Sequence, residues 1–313
     1  EPFTVIGIGD MSGDVFGNGM LLSEQIKLKA AFDHRHIFLD PNPDAAKSFA
    51  ERARLFDLPR SSWDDYNKSL ISDGGGIWPR SAKSIPLSAD IREWLGVEAE
   101  QMAPTELMHL ILKAPADLLY NGGIGTYVKS SSQSHQDAND RGNDNLRVDA
   151  NELRVKVIGE GGNLGLTQKG RIEFALGGGH LFTDAIDNSA GVDCSDHEVN
   201  IKILLSGLVR GGDMTDKQRV ALLSSMTDEV GQLVLSDNYQ QTGAVSIEAN
   251  KGFEMLNAHG QLIRKMEAAG ALDRTIEFLP DDKNLAERAQ MRVGLTSPEL
   301  AVLLAYTKIT LKE

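Results

Sequence analysis

The sequence predicts an α/β fold, in which a mostly parallel sheet with flanking helices is followed by an all-helical segment. Up to about residue 200, short apolar segments that end in Gly, Pro or Asn alternate with segments of helical periodicity. This alternation is typical of a parallel sheet with crossover helices. From Glu198 onward the apolar residues recur only at helical spacing. We therefore expect a boundary near residue 200 and a helical segment over residues 201–313.

Five segments of the first part have the length and composition of buried strands. They are Phe3 to Ile8, His36 to Asp40, Asp117 to Asn121, Arg154 to Gly159 and His180 to Ile186. The segments between them predict helices over roughly Val15 to Ala31, Asp44 to Phe56 and Pro104 to Lys113. Two stretches interrupt the pattern, residues 57–103 with a Gly-rich turn and residues 130–150, a polar loop that is either disordered or functional.

The last part of the chain predicts helices. One apolar helical face is formed by Ile201, Leu204, Leu205 and Leu208. Further along, Ser297 is a good N-cap residue, and Pro298 after it suits the first helical position. We therefore expect a final helix from Ser297 to about Tyr306.

Charge and composition exclude several classes of protein. The chain has 32 Lys and Arg residues against 45 Asp and Glu residues, a net charge of −13, which argues against nucleic-acid binding. No apolar run approaches the ~20 residues of a membrane-spanning helix, so no membrane association is expected. The single cysteine, Cys194, cannot form an intramolecular disulfide, which favours the cytoplasm. Because a strand is predicted directly after Glu1, with no initiator Met, we expect a fragment of a longer protein.

The first strand runs into a glycine-rich turn and then a helix, the arrangement of a Rossmann-like phosphate cradle. We expect Gly7 to permit the tight turn, Gly9 to let the backbone approach a pyrophosphate, and Gly13 or Gly17 to let the helix lie close to the sheet. The expected cofactor-binding residues of this turn are Gly7, Gly9, Asp10, Met11, Ser12 and Gly13. Residues 1–200 are accordingly predicted to form a dinucleotide-binding domain.

An acid at the end of the next predicted strand indicates which dinucleotide binds. Asp40 could accept both ribose hydroxyls and would repel a 2′-phosphate, which favours NAD over NADP. Against this, Gly7 and Asp40 are 33 positions apart in the sequence, where ~20 is usual. Asp10 and Asp14 also place negative charge beside the expected pyrophosphate. A glycine turn that merely closes a strand–helix unit is the competing interpretation.

Two further glycine loops follow later strands. One contains Asn121, Gly122 and Gly123, and the other runs from Glu160 to Gly165. Ligands of open parallel sheets lie across the carboxyl ends of the strands, so these loops would face the same crevice. Asn121, Gly122 and Gly123 are therefore added to the expected cofactor site.

Four motifs resemble those of the large, bacterial-type NAD-dependent glutamate dehydrogenases, and the resemblance covers nearly all 313 residues. The motifs are residues 7–19, residues 121–129, residues 160–163 and residues 188–195. The resemblance implies oxidative deamination of L-glutamate to 2-oxoglutarate and ammonia, with hydride transfer to NAD. It also implies that Asn163 lies near the nicotinamide, that Val192 and Ser195 contact the glutamate side chain, and that the full-length enzyme is a homo-oligomer.

The same family carries its catalytic lysine and aspartate in a substrate domain that precedes this part, and no equivalent residue is found here. We therefore expect no catalytic residue in this fragment, which would be inactive alone. The alternative is a dinucleotide-binding module that regulates or assembles without catalysis.

A metal or hydrolase site is also conceivable in residues 193–197. Asp193 and His197 would share a helical face, but two ligands do not make a closed metal site. We prefer the interpretation that these acids lie in the first turn of a helix and interact with its dipole, and we expect no metal.

Overall fold

The computed structural model describes residues 1–312 and contains a six-stranded central sheet with two small two-stranded sheets. The strands are β1 (Phe3–Ile8), β2 (Ile26–Phe32), β3 (His36–Leu39), β4 (Gly76–Pro79), β5 (Ile85–Pro86), β6 (Gln101–Met102), β7 (Ala116–Asn121), β8 (Val128–Lys129), β9 (Val148–Asp149) and β10 (Val155–Glu160). The central sheet has the order β10-β7-β1-β2-β3-β4, and β5 pairs with β6 and β8 with β9.

Helices flank this sheet and make up most of the chain after residue 188. They are α1 (Val15–Met20), α2 (Ala45–Asp57), α3 (Ala89–Leu95), α4 (Pro104–Lys113), α5 (Gln168–Leu176), α6 (Asp184–Asp187), α7 (Ser189–Gly211), α8 (Asp216–Ser225), α9 (Thr227–Lys251), α10 (Leu256–Ala268), α11 (Asp282–Met291) and α12 (Ser297–Lys312). None of the helices in the described part of the chain is both long and apolar enough to cross a membrane.

The central sheet is mostly parallel, which confirms the predicted fold class. Strands β10, β7, β1 and β2 run in one direction, whereas β2 to β3 and β3 to β4 are antiparallel pairs. One face of the sheet packs with Phe16 of α1 and Leu55 of α2. The other face packs with Leu107 of α4 and Phe174 of α5. Two apolar layers therefore cover the sheet, as expected for buried parallel strands.

The predicted helix from Val15 to Ala31 is wrong in its second half. Helix α1 ends at Met20, and residues 26–32 form strand β2 beside β1. The alternation of buried Ile26 and Leu28 with the less buried Lys27 and Lys29 has the period of a strand. Because of this missed strand, β3 pairs antiparallel with β2 and does not lie next to β1.

The predicted strand from His180 to Ile186 is also wrong. His180 makes one isolated bridge to Val157, and helix α6 begins four residues later, at Asp184. Helix α7 follows at once and runs through residue 200, where the sequence suggested a boundary. The final helix α12 begins at Ser297 as expected and extends beyond Tyr306.

The two interrupting stretches are built into the fold. In the first, β4 forms the sixth strand of the sheet. In the second, the buried Arg147 side chain donates to the Thr126 carbonyl (2.8 Å) and to the Asp144 carboxylate (2.7 Å). These bonds give the polar loop of residues 130–150 a charged centre, and β9 at its end pairs with β8.

Candidate functional site

The carboxyl ends of the four parallel strands lie side by side. Ile8 at the end of β1 pairs with Phe32 of β2 and with Asn121 of β7. Asn121 in turn pairs with Glu160 of β10. The turns after these strands are joined by backbone hydrogen bonds, for example from the Gly9 amide to the Phe32 carbonyl (2.8 Å). The predicted glycine loops therefore meet at one edge, where open parallel sheets bind ligands.

Glycine is required at two positions of this edge. Gly9 has φ +137°, and a Cβ placed on it would lie 2.6 Å from the Cβ of Phe16. A Cβ on Gly122 would lie 2.5 Å from the backbone nitrogen of the same phenylalanine. Helix α1 therefore approaches both loops too closely for any larger residue. At Gly123, in contrast, the nearest atoms to a Cβ would be the Gly9 Cα and the Ile8 oxygen at 3.4 Å, so the two loops touch without a clash.

The role expected for Gly7 is wrong. Gly7 lies inside β1 and not in the turn. A Cβ there would lie 2.0 Å from the Phe16 ring, so this glycine makes room for an aromatic side chain under the sheet. Gly17 also packs closely, but against the turn before α1 and not against the sheet, because its Cβ would meet the Met11 carbonyl oxygen at 2.2 Å.

The residues between Gly9 and α1 form a turn held by carboxylates. Asp10 accepts hydrogen bonds from the amides of Ser12 (3.0 Å) and Gly13 (2.6 Å). Asp14 accepts from the Asp10 amide (3.2 Å), and burial raises the pKa of its carboxyl. Met11 is buried in the core beside this turn. Asp10 thus occupies amides that a pyrophosphate would otherwise use, while Ser12 and Gly13 stay exposed.

The structure corrects the position of Asp40. Because β3 is antiparallel to β2, Asp40 lies level with Lys29 in the interior of β2, and its amide donates to the Lys29 carbonyl (2.8 Å). Its carboxylate accepts from the Ser72 hydroxyl, and burial raises its pKa. Asp40 is therefore away from the carboxyl edge at which a ribose would lie.

Asp33 holds the place that the sequence analysis assigned to Asp40. It directly follows β2, and only 6% of it is exposed. Its Oδ1 accepts from the amides of Arg35 (2.7 Å) and His36 (2.6 Å). Its Oδ2 is buried and has no hydrogen-bond partner among the described residues. The signal that could have found it was the alternating pattern of β2, which ends one residue before it.

Asn121 and Asn163 occupy two further positions of the edge. Both side-chain polar atoms of Asn121 are buried without a partner among the described residues. A buried amide that satisfies neither its donor nor its acceptor is unusual and needs a ligand or a water. Asn163 is exposed, and its Oδ1 accepts from the Asn188 side chain (2.7 Å).

A charged network lies behind the second glycine loop. Arg171 binds both carboxylate oxygens of Glu160, at 2.7 and 2.8 Å, and contacts Asp184 at 3.0 Å. Asp187 accepts from the Glu160 amide (3.0 Å). Burial, with the nearby Glu160 charge, raises the pKa of Asp187 to about 7. This network could not be predicted from the sequence because Arg171 and the two aspartates have no recognisable spacing.

The predicted substrate residues lie on α7. Val192 and Ser195 are exposed, and the Ser195 hydroxyl donates to the Gly191 carbonyl of the same helix (3.0 Å). Helix α7 begins at Ser189, so Ser195 lies within the helix and not at its start. To donate to a ligand at the helix surface, the hydroxyl would have to release the Gly191 carbonyl.

The Asp193 and His197 pair is joined by a third group. Their side chains are 3.3 Å apart, and the Asp237 carboxylate of α9 comes within 4.8 Å of both ligand atoms. All three side chains are at least partly exposed. A helical ion pair of the i, i+4 type accounts for the closest contact.

Comparison with known proteins identifies the family of the chain. Residues 1–248 match the family model described as bacterial NAD-glutamate dehydrogenase, catalytic domain. The NAD-specific glutamate dehydrogenase of Pseudomonas aeruginosa is 61% identical over all of this chain and 19% of its own length. That of Mycobacterium tuberculosis is 58% identical over all of this chain and 20% of its own length. The chain therefore spans about a fifth of these curated relatives.

Among solved structures, the hetero-hexameric glutamate dehydrogenase of Thermus thermophilus in its Leu-bound form is similar with a TM-score of 0.38 and 12% identity. This similarity covers 80% of the chain and 42% of the other protein. The family assignment rests on the sequence matches, which extend over most or all of the chain. They show that this chain belongs to the bacterial NAD-glutamate dehydrogenase catalytic-domain family.

Proposed function

We propose that this chain is the cofactor-binding part of an enzyme that oxidatively deaminates L-glutamate to 2-oxoglutarate and ammonia, with hydride transfer to NAD. One observation carries the proposal: the unpartnered Asp33 Oδ2 lies at the same sheet edge as the touching glycine loops of Gly9 and Gly123. The names of the relatives, NAD-specific glutamate dehydrogenase, support the choice of cofactor and substrate.

The residues of the edge fit an NAD molecule. The Gly9 and Gly123 loops bring their backbones into contact at this edge, and a pyrophosphate needs close approach to peptide groups. Asp33 Oδ2 would accept a ribose hydroxyl and would repel the 2′-phosphate of NADP. Asn121 offers one donor and one acceptor, which a carboxamide or a bound water could satisfy. We keep Asn163 as the residue nearest the nicotinamide.

On the substrate side, we propose that Val192 and Ser195 contact glutamate. Ser195 would donate its hydroxyl to a carboxylate in place of the Gly191 carbonyl, and Val192 offers an apolar surface of which 61% is exposed. Helix α7 follows α6 directly, and α6 bonds to the loop that contains Asn163. Substrate and cofactor residues thus belong to neighbouring elements, as hydride transfer requires.

NAD, when bound, supplies the hydride acceptor. This chain's residues hold the two reactants in position, and we propose that the proton-transfer groups come from another part of the longer polypeptide. The fifth of the relatives' length that the chain spans is consistent with this division.

We extend the proposal to the organisation of the enzyme. Residues 1–200 would carry the dinucleotide site. Residues 201–313 would support α7, chiefly by the packing of α9 against it. Exposed apolar side chains on α7 and α9, including Ile203 (64%) and Leu235 (63%), are consistent with a homo-oligomer. We propose the cytoplasm as the compartment because this part of the polypeptide has a single cysteine, which suits a reducing environment.

The test is NADH formation from glutamate by the full-length polypeptide and by this chain alone. We expect turnover by the full-length polypeptide, and NAD binding without turnover by the chain. NAD binding without glutamate oxidation by the full-length polypeptide would contradict the proposal and favour a regulatory dinucleotide-binding module.

A further inference from the structure

The four-residue helix α6 holds both ends of the glycine loop that contains Asn163. At the start of the loop, the Glu160 amide donates to Asp187 Oδ2 (3.0 Å). At its end, the Leu164 amide donates to Asp184 Oδ2 (2.7 Å). Leu164 has φ +58°, which a residue with a side chain adopts only when its surroundings impose it. The two aspartates, three residues apart on one helix, therefore hold the two ends of the loop, while the Gly161 and Gly162 amides between them donate to the Asn121 carbonyl.

Helix α6 is itself held from two other sides. Arg171 of α5 contacts the second oxygen of Asp184 (3.0 Å). From α9, the Asn238 side chain donates to the Ile186 carbonyl (2.7 Å) and to the Ser189 hydroxyl at the start of α7 (3.0 Å). These contacts give α6 little freedom to move by itself. A shift of α6 would displace the glycine loop and the first turn of α7 together.

A third contact joins the loop to α7 directly. Asn188, which lies between α6 and α7, donates to Asn163 Oδ1 (2.7 Å). The residue expected near the nicotinamide is thus one hydrogen bond away from the helix that carries Val192 and Ser195.

We propose that α6 is a clamp that sets the distance between the cofactor loop and the substrate helix, with Asp184 and Asp187 as positioning residues. The consequence for NAD rests on the proposed function, whereas the clamp itself does not. Loss of either carboxylate leaves a loop amide unpaired, and a loop that samples several positions binds a cofactor more weakly because binding must order it.

Hydrogen exchange of single amides tests the clamp without any ligand. In Asp187→Ala we expect the Glu160 amide to exchange at least tenfold faster than in the wild-type chain, and in Asp184→Ala the Leu164 amide. Asp187→Asn keeps an acceptor oxygen and should restore slow exchange at Glu160. The matched control is Asp281→Ala, which removes an aspartate that accepts from a backbone amide (2.7 Å) at the start of α11, far from the loop in sequence.

Calorimetry of the same variants with NAD gives the functional readout. We expect the Kd for NAD to rise about tenfold in Asp187→Ala, and to stay within twofold of wild type in Asp187→Asn and Asp281→Ala. In the full-length enzyme, Asp187→Ala should also raise the KM for glutamate. Asn188→Ala, at a partly exposed position, provides a second test if Asp187→Ala does not fold, and it too should raise the Kd for NAD.

Wild-type exchange rates at both Glu160 and Leu164 in the alanine variants would overturn the clamp. A wild-type chain that binds no NAD would instead overturn the proposed function, and the exchange rates would still decide the clamp.

Discussion

The Trp63 indole donates a hydrogen bond to the carbonyl oxygen of Gly9 (3.0 Å). Trp63 belongs to the stretch that interrupts the sheet-forming pattern, and its ring stacks on Phe38 with a centroid distance of 5.0 Å. Only 1% of this side chain is exposed. The interrupting stretch of residues 57–103 therefore supports the glycine turn through the buried Trp63 side chain, and this contact gives the stretch a structural role.

The Trp63 contact predicts a stability loss with a consequence for NAD. Trp63→Phe keeps an aromatic ring but leaves a buried carbonyl unpaired, so we expect a loss of about 1–3 kcal/mol in unfolding free energy. Binding of NAD should weaken as well, because the Gly9 turn loses its support. Denaturant unfolding and calorimetry measure the two effects. Trp94→Phe is the control, since Trp94 makes a similar bond to the Pro115 carbonyl (3.0 Å) away from the turn, and NAD binding should not respond to it.

Gly123 tests the cradle without the strain expected at Gly9. Replacement of Gly9 by Val would force φ +137° on a β-branched residue and clash with Phe16, so weak NAD binding there would also reflect damage to the fold. Gly123→Ala adds a methyl group at ordinary contact distance. We expect near wild-type thermal stability and at least tenfold weaker NAD binding. Gly142→Ala, where the nearest atom to a Cβ lies at 3.6 Å, should bind NAD normally. Normal binding by Gly123→Ala would place the cofactor elsewhere.

Asp187 predicts a specific dependence of stability on pH. Its pKa is raised to about 7 by burial, whereas an unfolded chain ionises aspartate near pH 4. Between these values the folded chain binds more protons than the unfolded chain, so this group's contribution to stability falls as pH rises, by up to about 1.4 kcal/mol per pH unit. The contribution becomes constant above about pH 8, where the carboxyl is ionised in both states. Asp187→Asn has no ionisable group at this position. The difference in unfolding free energy, variant minus wild type, should therefore increase from pH 4.5 to pH 7. Parallel curves for the two proteins would refute the assignment.

Ser195 predicts an effect on catalysis and not on folding. Its hydroxyl bonds only a carbonyl of its own helix, so Ser195→Ala should change the unfolding free energy by less than about 0.5 kcal/mol. Loss of a hydrogen bond to the glutamate carboxylate should lower kcat/KM of the full-length enzyme by about tenfold to a hundredfold. Ser225→Ala removes a similar bond within α8 (2.8 Å) and serves as control. Unchanged glutamate kinetics would remove Ser195 from the substrate site.

The sequence predicted the sheet class and the meeting of the glycine loops because both depend on local patterns. Apolar strands followed by glycine can be recognised without knowing their partners, and parallel strands necessarily bring their carboxyl ends to one edge. The helix Pro104–Lys113 was predicted for the same reason, from a proline at its first position.

The errors came from non-local features. The alternating pattern of strand β2 is too short to be distinguished from the end of the preceding helix. Without this strand, the acid that follows the second strand is Asp40 instead of Asp33. The role of Gly7 depends on the ring of Phe16, nine positions away, and the bonds from α6 to its loop join residues 20 and 27 positions apart. Such contacts leave no periodic trace in a single sequence.

The most direct measurement is calorimetric titration of the wild-type chain, Asp33→Asn and Asp40→Asn with NAD and with NADP. We expect the wild-type chain to bind NAD at one site and more tightly than NADP. Asp33→Asn should bind NAD about tenfold more weakly and lose most of that preference, because a charged acceptor is replaced by a neutral amide. Asp40→Asn should match the wild-type chain in both affinities. Equal affinity of the wild-type chain for both dinucleotides, or a loss of preference in Asp40→Asn and not in Asp33→Asn, would contradict the proposed role of Asp33 in binding NAD.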